Sequence, residues 1–194
     1  MEYPLQLSFK LLAIARQISV TDAQGQLVLY VKQKAFKLKE AMTVFADAAQ
    51  TRALYTIQAD RILDISARYN FADATGNYLG SIKRQGMRSI WKAHYDVFDG
   101  ERLELTITEE SAWTKVLDAL VGEIPVVGMF TGYLFHPAYL VKRTNGAVVL
   151  RLEKRPALFE GKFNVTKHGD LAPPEETRAL LAIITTVLLE RGRG

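Results

Sequence analysis

Side chains able to make and break bonds are few and scattered in this sequence. The three histidines, His94, His136 and His168, stand far apart, and none begins a His-x-x-x-His or similar ligand spacing. Cysteine is absent, which removes thiolate nucleophiles, thiolate metal sites and disulfides, and fits a reducing compartment. No Gly-x-Ser-x-Gly elbow, P-loop or dinucleotide fingerprint occurs. Asp73 and Asp99 do not open an alternating series of calcium ligands closed by a glutamate. The residues therefore predict no catalytic set, no metal and no cofactor, and an enzyme is the weaker expectation.

The basic residues say more. Lys32, Lys34, Lys37 and Lys39 lie in "YVKQKAFKLKE". Lys32 and Lys34 share one strand face by the two-residue period. Lys37 and Lys39 alternate with Phe36 and Leu38 after a phase slip near Ala35. A second cluster, Lys83, Arg84, Arg88 and Lys92, lies in "IKRQGMRSIWK". If the two segments are neighbours they form one cationic patch, suited to phosphate headgroups or a nucleic-acid backbone. The plainer alternative is a solvated strand face whose lysines guard an edge against aggregation. Net charge is only +4 and no stacking platform for bases is evident, so nucleic acid is the less expected partner.

The elements that would carry these residues are mostly short strands. Extended arms flank Asp22-Ala23-Gln24-Gly25, Asp73-Ala74-Thr75-Gly76, Asp99-Gly100 and Asn145-Gly146. Asn-Gly and Asp-Gly supply the positive φ of tight hairpins. In Asp-Ala-x-Gly the aspartate bonds the turn backbone and the glycine takes the left-handed position. The first two hairpins look like copies: Asp22 and Asp73, Gly25 and Gly76, and Lys32 and Lys83 are each 51 apart. "AMTVFAD", "ALYTIQAD", "RILDIS" and "ALFEGKFNVT" bring the strand candidates to eleven or twelve.

Two segments read as helix. In "EESAWTKVLDALVGE" the apolar residues from Ala112 to Val121 share a face, with Ser111 as N-cap and Gly122 as stop. This predicts a peripheral amphipathic helix near 111–121. The tail opens with Pro173 and Pro174 and carries Glu175 and Glu176 in its first turn, where the helix dipole favours acids. From Ala179 to Leu189 no charge interrupts it. A helix apolar in every direction must be buried in every direction. The run is shorter than the ~17–20 apolar residues of a spanning helix. It is therefore expected to plug a barrel too wide to be filled by its own side chains. The rival reading is a membrane anchor. The start, "MEYPLQLSFKLLAIARQISV", lacks a basic region and a cleavage site and is expected to be strand rather than signal peptide. The expectation is one cytoplasmic domain over residues 1–194.

"YPLQLSFKLLAIARQISVTDAQGQLVLYVKQKAFKLKE", "ISARYNFADATGNYLGSIKRQGMRSIWKAHYDVFD" and the closing helix together resemble the LURP-one-related family, its bacterial branch most closely. That family is grouped with the Tubby C-terminal-like and phospholipid-scramblase-like folds. The resemblance implies a mainly β fold: a closed antiparallel barrel of twelve strands with the hydrophobic C-terminal helix through its centre. Tubby proteins bind phosphoinositides at a basic pocket, but their lipid-binding residues do not align here and none is carried over.

Two functional readings follow. The first is a non-enzymatic module, peripheral to a membrane, that binds anionic phospholipid headgroups or another phosphate-bearing partner through the two basic clusters. The second is a protein-interaction or structural domain. Its expected contact surface is the Trp113 helix and the stretch "VVGMFTGYLF" after it.

Overall fold

The computed structural model describes residues 1–10, 15–34, 41–61, 67–85, 93–110, 138–155 and 160–191. Twelve strands follow one another: β1 (Leu5–Lys10), β2 (Ala15–Thr21), β3 (Leu27–Lys34), β4 (Met42–Phe45), β5 (Ala53–Ala59), β6 (Arg68–Asp73), β7 (Tyr78–Arg84), β8 (His94–Asp99), β9 (Arg102–Glu109), β10 (Ala138–Arg143), β11 (Val148–Arg155) and β12 (Glu160–Lys167). A helix, α1 (Pro173–Arg191), ends the described chain. Each strand pairs antiparallel with the next, and β1 pairs with β12 to close the ring, with Leu5 opposite Val165 and Phe9 opposite Gly161. The expected helix near 111–121, "VVGMFTGYLF" and most of "RILDIS" lie outside the described residues.

Alternation builds the wall. Leu5, Leu7 and Phe9 on β1, Ile18 and Val20 on β2, and Leu150 and Leu152 on β11 are buried at every second position. The helix fills the space they enclose. Every residue from Arg178 to Leu188 is buried, whichever way it faces. At 19 residues it is ~28 Å long, enough to run from one end of the barrel to the other. The tail is thus a plug, and no helix among the described residues is long and apolar enough to cross a membrane.

The two ends differ. At the entry mouth, where α1 begins, the even strands turn into the odd ones. All four anticipated turn glycines have positive φ: Gly25 (77°), Gly76 (89°), Gly100 (61°) and Gly146 (87°). Asp22 Oδ1 accepts the N–H groups of Gln24 (3.1 Å) and Gln26 (3.0 Å). Asp73 Oδ1 accepts those of Thr75 and Asn77, both at 2.9 Å. The two hairpins even share a register shift, between Val20 and Thr21 in one and Phe71 and Ala72 in the other. Similar shifts on β4, β8 and β10 put a bulge beside every strand-to-strand turn at this mouth. Bulges increase local twist and bend a sheet, which suits a wall that must close on itself. The opposite end, where β3, β7 and β11 finish and α1 ends, is the exit mouth.

Candidate functional site: the basic exit mouth

Strands β3, β7 and β11 all run toward the exit mouth, and each finishes on bases: Lys32 and Lys34, Lys83 and Arg84, Lys154 and Arg155. Lys32 and Arg155 are exposed; Lys83 and Lys154 are partly so. Among the described residues, Lys32, Lys83, Lys154 and Arg155 have no carboxylate within ion-pair range. Arg68, Arg102 and Arg143 of the wall are matched by carboxylates. Arg151 holds Glu110 at 3.1 Å and Glu153 at 3.0 Å.

The placement of the strands decides what such a set can bind. In a ring of twelve, β3, β7 and β11 lie four positions apart, a third of the circumference each. With strands spaced about 4.8 Å and tilted, neighbouring members of the set are ~20 Å apart. No single phosphate reaches two of them. A ligand that met all three would have to span the mouth. Of the described members, Lys32 and Lys83 stand on strands separated by β4, β5 and β6.

Arg84 takes another position. It is buried beside the core, with its guanidinium over the Tyr95 ring at 5.9 Å and 3.7 Å from Glu190 near the end of α1. The Tyr95 hydroxyl donates to the same Glu190 carboxylate. Burial, then the hydrogen bond and charge of Glu190, raise the Tyr95 pKa far above the ordinary phenol value. Tyr139 nearby is pushed up to about 12, chiefly by burial and then by the charges of Glu190 and Glu109. Both phenols stay protonated at neutral pH, and the cluster fastens the end of the plug. Adjacent residues on a strand face opposite ways, so Lys83 and Arg84 divide between the outer wall and the interior.

Of the remaining members of the sequence clusters, Lys34 is placed by its backbone on β3, opposite Ala15. Lys37, Lys39, Arg88 and Lys92 lie outside the described residues. Lys154 and Arg155 escaped the sequence reading; the signal was the base pair closing "VVLRLEKR" just before Pro156. Among the described residues the histidines show no ligand grouping. His94 Nε2 lies 3.2 Å from Asp96 Oδ1, whose other oxygen receives Gln85. His168 Nε2 lies 3.0 Å from the Thr166 hydroxyl, and His136 is outside the described residues. Among the described residues no three His, Asp or Glu side chains gather to hold a metal.

A closed, mainly β barrel of twelve antiparallel strands around its own C-terminal helix defines the class of protein. The LURP-one-related family matches residues 6–123, and the chain belongs to that family. No curated protein matches it. Among solved structures, the X-ray structure of a protein from Arabidopsis thaliana is similar over 98% of this chain and 93% of that one, with a TM-score of 0.52 and 17% identity. At that identity the likeness speaks for the fold alone.

Proposed function

We propose that the chain is a non-enzymatic binding module, acting as one unit over residues 1–194, whose exit mouth settles on an anionic phospholipid surface. The observation that carries this reading is the set of unpaired bases Lys32, Lys83 and Arg155, spread around one mouth at a spacing that only a broad anionic surface satisfies. Such contact is a charge attraction at the surface, so salt weakens it. A peripheral, cytoplasmic location accords with it. The affinity with the bacterial branch rests on sequence likeness alone.

Co-sedimentation with neutral and with phosphatidylglycerol- or phosphoinositide-containing vesicles, across a salt series, tests the proposal. Binding is expected only to the anionic vesicles and is lost at high salt. Charge reversal of Lys32, Lys83 and Arg155 together should abolish it, while Arg52→Glu, exposed at the entry mouth, should leave it intact. Equal binding to neutral vesicles, or none to anionic ones at low salt, overturns the reading.

The alternative, a protein-interaction domain, is favoured by a separate observation. The exposed large apolar side chains among the described residues, Met1, Leu27, Tyr78 and Leu103, all lie at the entry mouth.

A further inference from the structure

The outer face of β6 and β7 carries four polar side chains on one small facet. Phe71 and Ile82 point inward and are fully buried. By the two-residue period, Arg68 and Asn70 on β6 and Ser81 and Lys83 on β7 face outward. Arg68 stands directly opposite Lys83, and Asn70 directly opposite Ser81, with no register shift between the two pairs. The facet is therefore ~5 Å wide across the strands and ~7 Å long along them. Two bases directly opposite each other repel. Among the described residues Lys83 has no carboxylate within ion-pair range, and the Asn70 amide has no hydrogen-bond partner. The Ser81 hydroxyl is fully buried and has no partner either, although it lies on the outside of the wall. Burying a hydroxyl without a hydrogen bond is unfavourable.

Arg68 helps to hide Ser81. Phe98 of β8 pairs with Ser81, and the Arg68 guanidinium lies over the Phe98 ring, 4.8 Å from its centroid. To reach that ring from β6 the arginine side chain crosses β7 between Lys83 and Ser81. Its other hold is Glu101 at 3.0 Å, whose side chain is 88% exposed. An ion pair so open to water contributes little, so the arm is held weakly. Asp96 stands opposite Lys83 on β8, but its carboxylate serves other groups. It accepts from Gln85 and lies 3.2 Å from His94 Nε2.

We propose that this facet binds a single phosphate group, inorganic or a monoester, with Arg68 as its movable arm. Arg68 leaves Phe98 and Glu101 and turns back over the facet. A phosphate monoester brings up to about two negative charges and three strong acceptor oxygens. Arg68 takes two of those oxygens side by side. Lys83 supplies the second positive charge. The uncovered Ser81 hydroxyl and the Asn70 amide donate to the remaining oxygen. One anion thus removes the repulsion between the two bases and gives Ser81 the partner it lacks. A diester has one charge and two free oxygens, so it leaves part of the facet unmatched. The site shares Lys83 with the proposed membrane contact but does not rest on it, because a soluble phosphate meets all four groups with no membrane present.

Titration of the full chain with inorganic phosphate and with glycerol phosphate, at constant ionic strength and followed by amide NMR spectra, tests this. A saturable one-to-one response at Asn70, Ser81 and Lys83 is expected. Ser81→Ala should weaken phosphate binding about tenfold yet melt no lower than wild type, since the hydroxyl it removes is unpaired in the free protein. Lys83→Gln should weaken binding about tenfold or more, and Arg52→Gln at the entry mouth should leave it unchanged. A response that never saturates overturns the proposal, and so does Ser81→Ala binding phosphate as tightly as wild type. Vesicles carrying phosphatidic acid, a monoester lipid, against vesicles carrying phosphatidylglycerol, a diester, then separate the sources. A preference for phosphatidic acid that Ser81→Ala removes assigns the site to a lipid headgroup. Saturation by glycerol phosphate without that preference assigns it to a soluble phosphoester. If phosphate saturates the facet and no anionic vesicle binds, the membrane reading falls and this site stands.

Discussion

Arg178 of the plug lies in a space that Gly80 of β7 leaves open. A Cβ at position 80 would sit 2.5 Å from Arg178 Cδ and 2.5 Å from the carbonyl oxygen of Phe98, and Gly80 has a φ of 145° that other residues rarely adopt. Gly80→Ala combines backbone strain with a clash against backbone, and should cost about 2 kcal/mol or more in urea unfolding. An unchanged midpoint would show that the helix end can shift at little cost.

The same arginine makes a two-pronged bond to Glu104 of β9, at 2.6 and 2.7 Å, and donates to the Leu79 carbonyl at 3.1 Å. Both side chains are about nine-tenths buried. Arg178→Leu leaves the buried Glu104 carboxylate with only the longer, 3.4 Å contact to Arg102, and the expected loss is about 3 kcal/mol. The double variant with Glu104→Leu should recover most of it. If the single and double variants are equally unstable, packing and not charge is what the pair provides.

Deep in the helix, the two threonines differ. The Thr185 hydroxyl donates to the Leu181 carbonyl at 2.7 Å, whereas the fully buried Thr186 hydroxyl has no partner among the described residues. Thr186→Val keeps the shape and removes an unsatisfied polar group, and should stabilise by about 1 kcal/mol. The same change at Thr185 should gain less, since that hydroxyl is already bonded. Thermal melts of both variants provide the comparison.

Alkaline pH should loosen the plug. Tyr139 ionises at about 12 in the folded protein against 10.0 when unfolded, and Tyr95 is shifted further in the same direction. A raised phenol pKa means that the folded state keeps its proton longer. The stability this contributes is complete below pH 10 and declines as pH rises toward 12. Tyr95→Phe removes the donor to Glu190, so it should cost about 1–3 kcal/mol at neutral pH and flatten part of this alkaline decline. Chemical unfolding at a series of pH values measures both effects.

Acid should act on a hairpin. Hydrogen bonds from Asn77 and Thr75, their side chains first, lower the Asp73 pKa from 3.8 to about 2. A depressed carboxyl contributes stability above its unfolded pKa and loses it as pH falls through the folded one. The contribution of Asp73 should therefore fade between about pH 3.8 and 2. Asp73→Asn should be less stable than wild type at neutral pH and converge with it toward pH 2.

What could be read from the sequence was local. The Asp-Ala-x-Gly turns, the copied hairpins and the plug each sit within one short segment, so turn chemistry and periodicity were enough. Lys83 and Arg84 show where the reading fell short. As neighbours in sequence they look like one cluster, although the strand period separates them by face. Lys32 and Lys83 occupy matching places in copied hairpins, yet three strands lie between them, a distance set by ring order alone. The bond between Glu104 and Arg178 spans 74 residues, and no local pattern announces a partner that remote. Arg155 ends a strand just before a proline, where a base reads as ordinary surface.

The pairing of β1 with β12 is the one seam of the ring whose strands are not consecutive in the chain. Bringing Lys10 to Glu160 closes a loop of about 150 residues, where a hairpin closes about five, at an extra entropic cost of about 3 kcal/mol. Hairpins should therefore zip early and the seam late. Until it joins, the meander is an open, curling sheet, and the greasy helix can be laid into its trough from the side. No thread ever has to pass through a finished hole. The plugged barrel is topologically a blanket wrapped round a rod, and that is how an unknotted chain can bury its own end.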